Sequence, residues 1–159
     1  MAASKGKDAF YYLTAAGEVT RLGDTLKYPN GIILSPDEST LYVLPFRSHK
    51  VMSYAIESPG KIGAGKVLCE LQSVSAGGST GGDGLSIDTD GNLYIAVPGI
   101  QSIQVVSPQG KTLGLIRLPE KPANCAFGGA DMKTLYITAR QYVYALPMEA
   151  TGHRFRGAP

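Results

Sequence analysis

The sequence predicts an all-β domain of propeller type, and three observations predict it. A motif recurs three times along the chain. Each copy heads a set of short alternating strands, and no segment carries a convincing helical period. The composition matches: 20 glycines, 10 prolines and 9 tyrosines with no tryptophan suit many short strands joined by tight turns.

The repeat reads "PNGIILSPDESTLYVLPF" at 29–46, "GDGLSIDTDGNLYIAVPG" at 82–99 and "ANCAFGGADMKTLYITAR" at 123–140. Each copy opens on Asn or Asp (Asn30, Asp83, Asn124). It then runs through a short strand and turns around an acid (Asp37, Asp90, Asp131). It closes on Leu-Tyr and a β-branched residue. Asn30 to Asp83 is 53 residues and Asp83 to Asn124 is 41, a period that accommodates about four short antiparallel strands, one propeller blade.

The second unit divides into "GLSID", "NLYIAV", "SIQVVS" and "TLGLIRL", with "TDG", "PGIQ" and "PQGK" as the turns. The first unit adds "KVMSYAIE" and "GKVLCEL". At the front, "AFYYLTAAGEVTRL" resembles the third and fourth strands of a unit. At the back, "HRFRG" is left as an outer strand. The expected organisation is a single partial propeller domain over 1–159. Its units lie at 7–26 (partial), 29–72, 82–118 and 122–157, about three blades in all. Such a set leaves sheet faces and strand edges open, so a missing part or a second copy is expected to close the ring.

Several function classes fall away. A net charge of +2 is too weak for a nucleic-acid or anionic-membrane partner. No apolar run is long enough to span a bilayer. "MAASKGKDAF" has lysines but no apolar core of a signal peptide, so the expected location is the cytoplasm, with the natural start of the protein left open. Cys69 and Cys125 lack metal-type spacing and read as two buried thiols. His49 and His153 have no nucleophilic partner at a recognisable spacing, and Ser79 and Thr80 read as a loop at the channel mouth.

The glycine-rich stretch around Asp83 invites two further readings, and both fail. A phosphate loop needs a helix behind it, whereas these glycines lead into a strand. An EF-hand loop is incompatible with the glycine directly after Asp90 and with the absence of a closing bidentate Glu after Asp88, Asp90 and Asn92. "TDGN" is a hairpin turn. Asp83, Asn30 and Asn124 each precede or begin the innermost strand of their unit, where equivalent positions of successive blades converge on the axis. Their side chains are either Asx turns at the strand start or oxygen donors for a hard divalent cation.

These motifs resemble the senescence marker protein/gluconolactonase/luciferin-regenerating enzyme family, over nearly all of this chain but only the C-terminal half of a usual member. The resemblance implies a six-bladed propeller and metal-dependent hydrolysis of sugar lactones. It implies metal ligation by Asn30 in "PNG" and by Asp83 in "GDG", with Asp83 also the catalytic proton-transfer group. Asn124 it leaves as structural support. The implied cofactor is a divalent metal, Ca²⁺ first, with Zn²⁺ or Mg²⁺ as alternatives. The implied partner is a small-molecule lactone. The family's ligating Glu from its first half has no counterpart here, and Glu18 and Arg21 on an outer strand do not replace it. The alternative functions are a non-catalytic half used for binding or assembly, a homodimer that completes one ring, and an inactive truncated fragment.

Overall fold

The computed structural model describes residues 8–23, 25–73 and 81–155. Its regular elements are strands, apart from one single-turn 3₁₀ helix at Pro98–Ile100. Among the described residues no helix is long and apolar enough to cross a membrane.

Four antiparallel sheets follow one another along the chain. The first pairs β1 (Phe10–Leu13) with β2 (Val19–Gly23). The second orders β3 (Pro29–Leu34), β4 (Thr40–Pro45) and β5 (Lys50–Ser58), with β6 (Lys61–Ile62) and β7 (Lys66–Glu70) sharing the outer edge of β5. The third is the meander β8 (Leu85–Ile87), β9 (Leu93–Val97), β10 (Ser102–Val106) and β11 (Thr112–Arg117). The fourth holds β12 (Pro122–Gly128), β13 (Thr134–Ala139) and β14 (Tyr142–Pro147). The innermost strands β3, β8 and β12 contact in that order, as blades of a propeller do around their axis.

The Leu-Tyr motif shows why these sheets stack. Successive side chains of a strand point to opposite faces. In β9, Leu93, Ile95 and Val97 pack towards β4 and β5, in a core with Leu44, Val51 and Leu71. Tyr94 and Ala96 pack the other way, with Cys125, Leu135 and Ile137. Every residue of β9 is therefore buried. Strand β4 does the same, sending Tyr42 and Leu44 one way and Leu41 and Val43 the other, against Phe10 and Tyr54. In β13 the alternation returns: Leu135 and Ile137 are buried, but Tyr136 is 43% exposed. The same motif is two-sided inside the stack and one-sided at its end.

Both ends of the stack are apolar. The outer face of β1–β2 shows Leu13 at 65% and Val19 at 58% exposure, and the outer face of the last sheet shows Val143 at 69% beside Tyr136. Each such side chain forgoes about half or more of the roughly 1.5–3 kcal/mol that full burial contributes.

The far turns are held by side-chain caps. In the third sheet the anchor is Asp88, not Asp90. Asp88 is buried; its Oδ1 accepts the backbone N–H groups of Asp90 (3.0 Å) and Asn92 (2.8 Å), and its Oδ2 accepts Asn92 Nδ2 (2.9 Å) and the Tyr94 hydroxyl (3.2 Å). Gly91 takes the left-handed conformation, φ 81°, that the turn needs. In the second sheet the exposed Asp37 caps the turn with Ser35 and Ser39, and hydrogen bonds from those two residues hold its pKa down to about 2.

The tail departs from the outer strand expected of "HRFRG". Its described part turns inward beneath the third and fourth sheets. Thr89 N–H donates to Thr151 O (2.9 Å), Gly152 N–H to Met132 O (2.8 Å) and His153 N–H to Ile87 O (3.0 Å). Phe155 packs on the core between the second and third sheets. A short basic stretch carries no alternation that distinguishes an edge strand from such a clasp. The thiols are both free: Cys125 is buried, and burial raises its pKa to about 12; Cys69 is half-buried, and burial with the neighbouring Glu70 raises its pKa to about 11.

Removing the Asp88 carboxylate leaves four donors without their acceptor, one of them the Tyr94 hydroxyl. Asp88→Ala is expected to destabilise the fold by about 3 kcal/mol in urea unfolding. Asp90→Ala, whose side chain is exposed, is expected to stay within about 0.5 kcal/mol. Equal effects of the two would contradict the assignment of Asp88 as the anchor.

Candidate metal and catalytic site

The site is built where the inner strands begin. Asn30 is the second residue of β3, Asp83 lies two residues before β8, and Asn124 is the third residue of β12. Strands β3 and β12 both break register here, between Pro29 and Ile32 and between Pro122 and Asn124. Such irregularities re-aim side chains at strand ends.

The glycines of "PNG" and "GDG" explain how close the blades come. A Cβ on Gly31 would collide with the Asp83 carbonyl oxygen and with the side chains of Leu85 and Leu44. A Cβ on Gly84 would occupy the space of the Asn124 amide. Each glycine therefore lets one inner strand lie directly against the residue that starts its neighbour. Backbone bonds lock the arrangement: Asp83 N–H donates to Ala96 O (2.9 Å), and Gly84 N–H to Ala123 O (2.8 Å) in the next blade.

This approach brings Asn30 and Asp83 together across 53 residues of sequence: Asn30 Nδ2 donates to Asp83 Oδ1 at 2.6 Å. Asn30 is exposed and Asp83 half-buried, so the pair is open to solvent. Asp83 Oδ2 accepts no hydrogen bond among the described residues. Asn124 serves differently. Its Oδ1 accepts the N–H of Cys125 (2.8 Å), and its amide lies against Gly84, a packing and turn role.

A cavity of about 380 Å³ adjoins Asn30, lined also by Asp8, Ala9, Tyr28, Pro29 and Phe46. Tyr28 holds a left-handed conformation, φ 52°. Three contacts pin it there: its N–H donates to Asp8 Oδ2 (2.9 Å), its carbonyl accepts Phe46 N–H (2.8 Å), and the Arg47 guanidinium sits 4.0 Å over its ring. A residue so constrained next to Pro29-Asn30 fixes the direction from which β3 starts. Asp8 and Tyr28 were not legible as part of this rim in the sequence, because neither belongs to the repeat.

The oxygens fit part of a hard cation's shell. Ca²⁺ takes six to eight oxygen ligands, and a carboxylate with an amide carbonyl is the usual chemistry. Ligation by Asn30 requires its amide to turn so that Oδ1, not Nδ2, faces the ion. No group of three or more His, Cys, Asp or Glu that could hold a metal occurs among the described residues. Neither histidine hydrogen-bonds to the pair among the described residues: the His153 ring stacks edge-on with Phe155 at 4.8 Å, and His49 accepts Leu71 N–H at its backbone carbonyl while its Nδ1 is buried without a partner. Glu18 and Arg21 sit on the β1–β2 hairpin, Glu18 with its N–H on Thr14 Oγ1. Ser79 and Thr80 fall outside the described residues.

Gly84→Ala is expected to cost about 1–3 kcal/mol by forcing β8 from β12. Gly114→Ala, where an added Cβ meets nothing within 4 Å, is expected to be near neutral. Thermal melts of the two variants check this; a silent Gly84→Ala would contradict the close approach.

Comparison with known proteins agrees with this architecture. A family model described as the SMP-30/gluconolactonase/LRE-like region matches residues 1–141. A gluconolactonase from Zymomonas mobilis is 32% identical over 148 residues, which cover 89% of this chain and 41% of that protein. A 6-deoxy-6-sulfogluconolactonase from Pseudomonas putida is 33% identical over 111 residues, 69% of this chain and 37% of that protein. The crystal structure of a calcium-binding protein, regucalcin, from Agrobacterium tumefaciens superposes with a TM-score of 0.78 at 25% identity, covering 92% of this chain and 56% of that one. The chain spans about half the length of these relatives or less. It belongs to the SMP-30/gluconolactonase/LRE-like family.

Proposed function

We propose that this chain carries half of the site of a metal-dependent sugar-lactone hydrolase. The observation that supports it most directly is the 2.6 Å contact between Asn30 and Asp83 at the mouth of the channel. The names of the two lactonase relatives support the reaction class, and the calcium-binding regucalcin supports a divalent cation, Ca²⁺ before Zn²⁺ or Mg²⁺.

Asn30 and Asp83 would hold the cation, which supplies Lewis acidity towards the lactone carbonyl and lowers the pKa of a bound water. The chain's own part is orientation and proton transfer. Asp83 Oδ2 takes a proton from the attacking water. As the ring ester bond breaks, the same oxygen returns the proton to the leaving alkoxide, giving a hydroxy acid. Asn30 contributes a neutral oxygen, so the carboxylate of Asp83 cancels only part of the cation's charge.

A specific observation favours a second copy as partner. The two exposed apolar faces lie at opposite ends of the stack, so two half-rings can cover all four faces with two identical junctions. The same ring would place two Asn30/Asp83 pairs around one channel and bring a second carboxylate to it. A half that binds without catalysis is the competing reading.

The test combines mass in solution, calorimetric Ca²⁺ titration and a gluconolactone hydrolysis assay on the 159-residue chain. Asp83→Asn is expected to lose divalent-ion binding and at least about 100-fold in hydrolysis, while the melting temperature in EDTA stays unchanged. Undiminished Ca²⁺ affinity in Asp83→Asn would overturn the site. A monomer that binds Ca²⁺ as tightly as a dimer would overturn the self-paired ring.

A further inference from the structure

Among the described residues, Tyr28, Glu38, Gln101, Met132 and Arg140 take a positive φ without being glycine. Glu38, Gln101, Met132 and Arg140 lie in links between paired neighbouring strands, where tight turns call for that conformation. Tyr28 lies instead between two sheets, directly before Pro29. A following proline pushes a residue towards extended backbone, so φ 52° at Tyr28 is disfavoured twice over. Strain of this kind persists only where the surroundings over-determine it, and it points to a role for the residue.

That role is read from what comes next in the chain. The register of β3 on β4 pairs Pro29 with Pro45 and Ile32 with Val43, and it shifts in between. Asn30 and Gly31 have no partner of their own in it. Neither Pro29 nor Pro45 has an N–H to donate. The bond from Phe46 N–H to Tyr28 O at 2.8 Å therefore ties the start of β3 to the end of β4. Asn30 is thus held by its neighbours along the chain, and the proline ring, with its fixed φ, passes the setting of Tyr28 on to it. Two side chains keep that setting. Asp8, ahead of β1, accepts Tyr28 N–H at Oδ2 (2.9 Å), and Arg47, in the β4–β5 turn, lies 4.0 Å over the Tyr28 ring.

We propose that Tyr28 is a positioning residue for Asn30, clamped by Asp8 and Arg47, and that this clamp sets how firmly the Asn30–Asp83 pair holds a divalent cation. For the cation this rests on the reading of that pair as a metal site; the positioning rests on the backbone alone. With the clamp open, Tyr28 relaxes to negative φ, the start of β3 turns, and Asn30 leaves Asp83.

The test has two readouts on the 159-residue chain, the side-chain amide NMR signals of Asn30 in EDTA and calorimetric Ca²⁺ affinity. In the parent the Asn30 amide is expected to be displaced by its 2.6 Å bond to Asp83 and to exchange slowly. Asp8→Ala is expected to return it to the free-amide range and to weaken Ca²⁺ binding about tenfold. Asp8→Asn keeps an oxygen acceptor for Tyr28 N–H and removes the charge, and it is expected to restore the Asn30 signal and most of the affinity. Equal losses in Asp8→Asn and Asp8→Ala would mean that Asp8 acts by charge, and would overturn the clamp. So would a lower melting temperature in Asp8→Ala with the Asn30 signal unmoved, which is what a merely structural role gives.

A double-mutant cycle tests the backbone directly. Glycine takes positive φ without a clamp, so Tyr28→Gly is expected to lose only about threefold in affinity, and adding Asp8→Ala to it is expected to cost nothing more. Additive losses would overturn the proposal. An Asn30 signal that follows Asp8 and Tyr28 as described, in a chain that binds no Ca²⁺, would keep the positioning role and overturn the cation reading.

Discussion

The close approach of successive inner strands governs this structure. Gly31 against the Asp83 carbonyl and Gly84 against the Asn124 amide leave no room for a side chain. That contact holds the inner strands close together, and it sets the places of Asn30 and Asp83, the residues before those glycines. Asn30 meets Asp83 as a consequence, although each is held by its own blade. The pairing of a polar residue with a glycine is thus one device: the glycine permits the approach and the polar neighbour uses it.

Two-sided burial supports the device. Strands β4 and β9 send alternate side chains into separate cores, so the middle sheets are clamped from both faces. The Asp88 network and the clasp of the tail under Ile87 and Met132 stiffen the end opposite the site. Rigid far ends matter because they fix where the inner strands start, and with them the Asn30–Asp83 pair. The open faces at Leu13 and Val143 are the counterpart: the same strands that build a clamp inside the stack leave apolar surface at its ends.

Much of the strand order was legible because the Leu-Tyr repeat is periodic and its turns carry Gly, Pro and Asp at fixed offsets. The nearness of Asn30 and Asp83 was legible because they hold equivalent places in the repeat. Asp88 was not legible as the buried anchor, since Asp88 and Asp90 both suit a turn and only tertiary contact with Tyr94 separates them. The path of His153–Phe155 was hidden for the same reason: the segment is too short for its period to declare a partner. The rim built from Asp8, Tyr28 and Arg47 depends on contacts between segments with no shared pattern, and the positive φ of Tyr28 runs against what a tyrosine prefers.

Whether the Asn30–Asp83 pair grips a cation is most directly read by anomalous diffraction from crystals of the chain grown with Mn²⁺. The expected result is a strong peak at coordination distance from the Asp83 carboxylate, with the Asn30 amide turned to present its oxygen. An Asn30–Asp83 hydrogen bond that stays intact, with no peak at the channel mouth and ordered Mn²⁺ bound elsewhere, would contradict it.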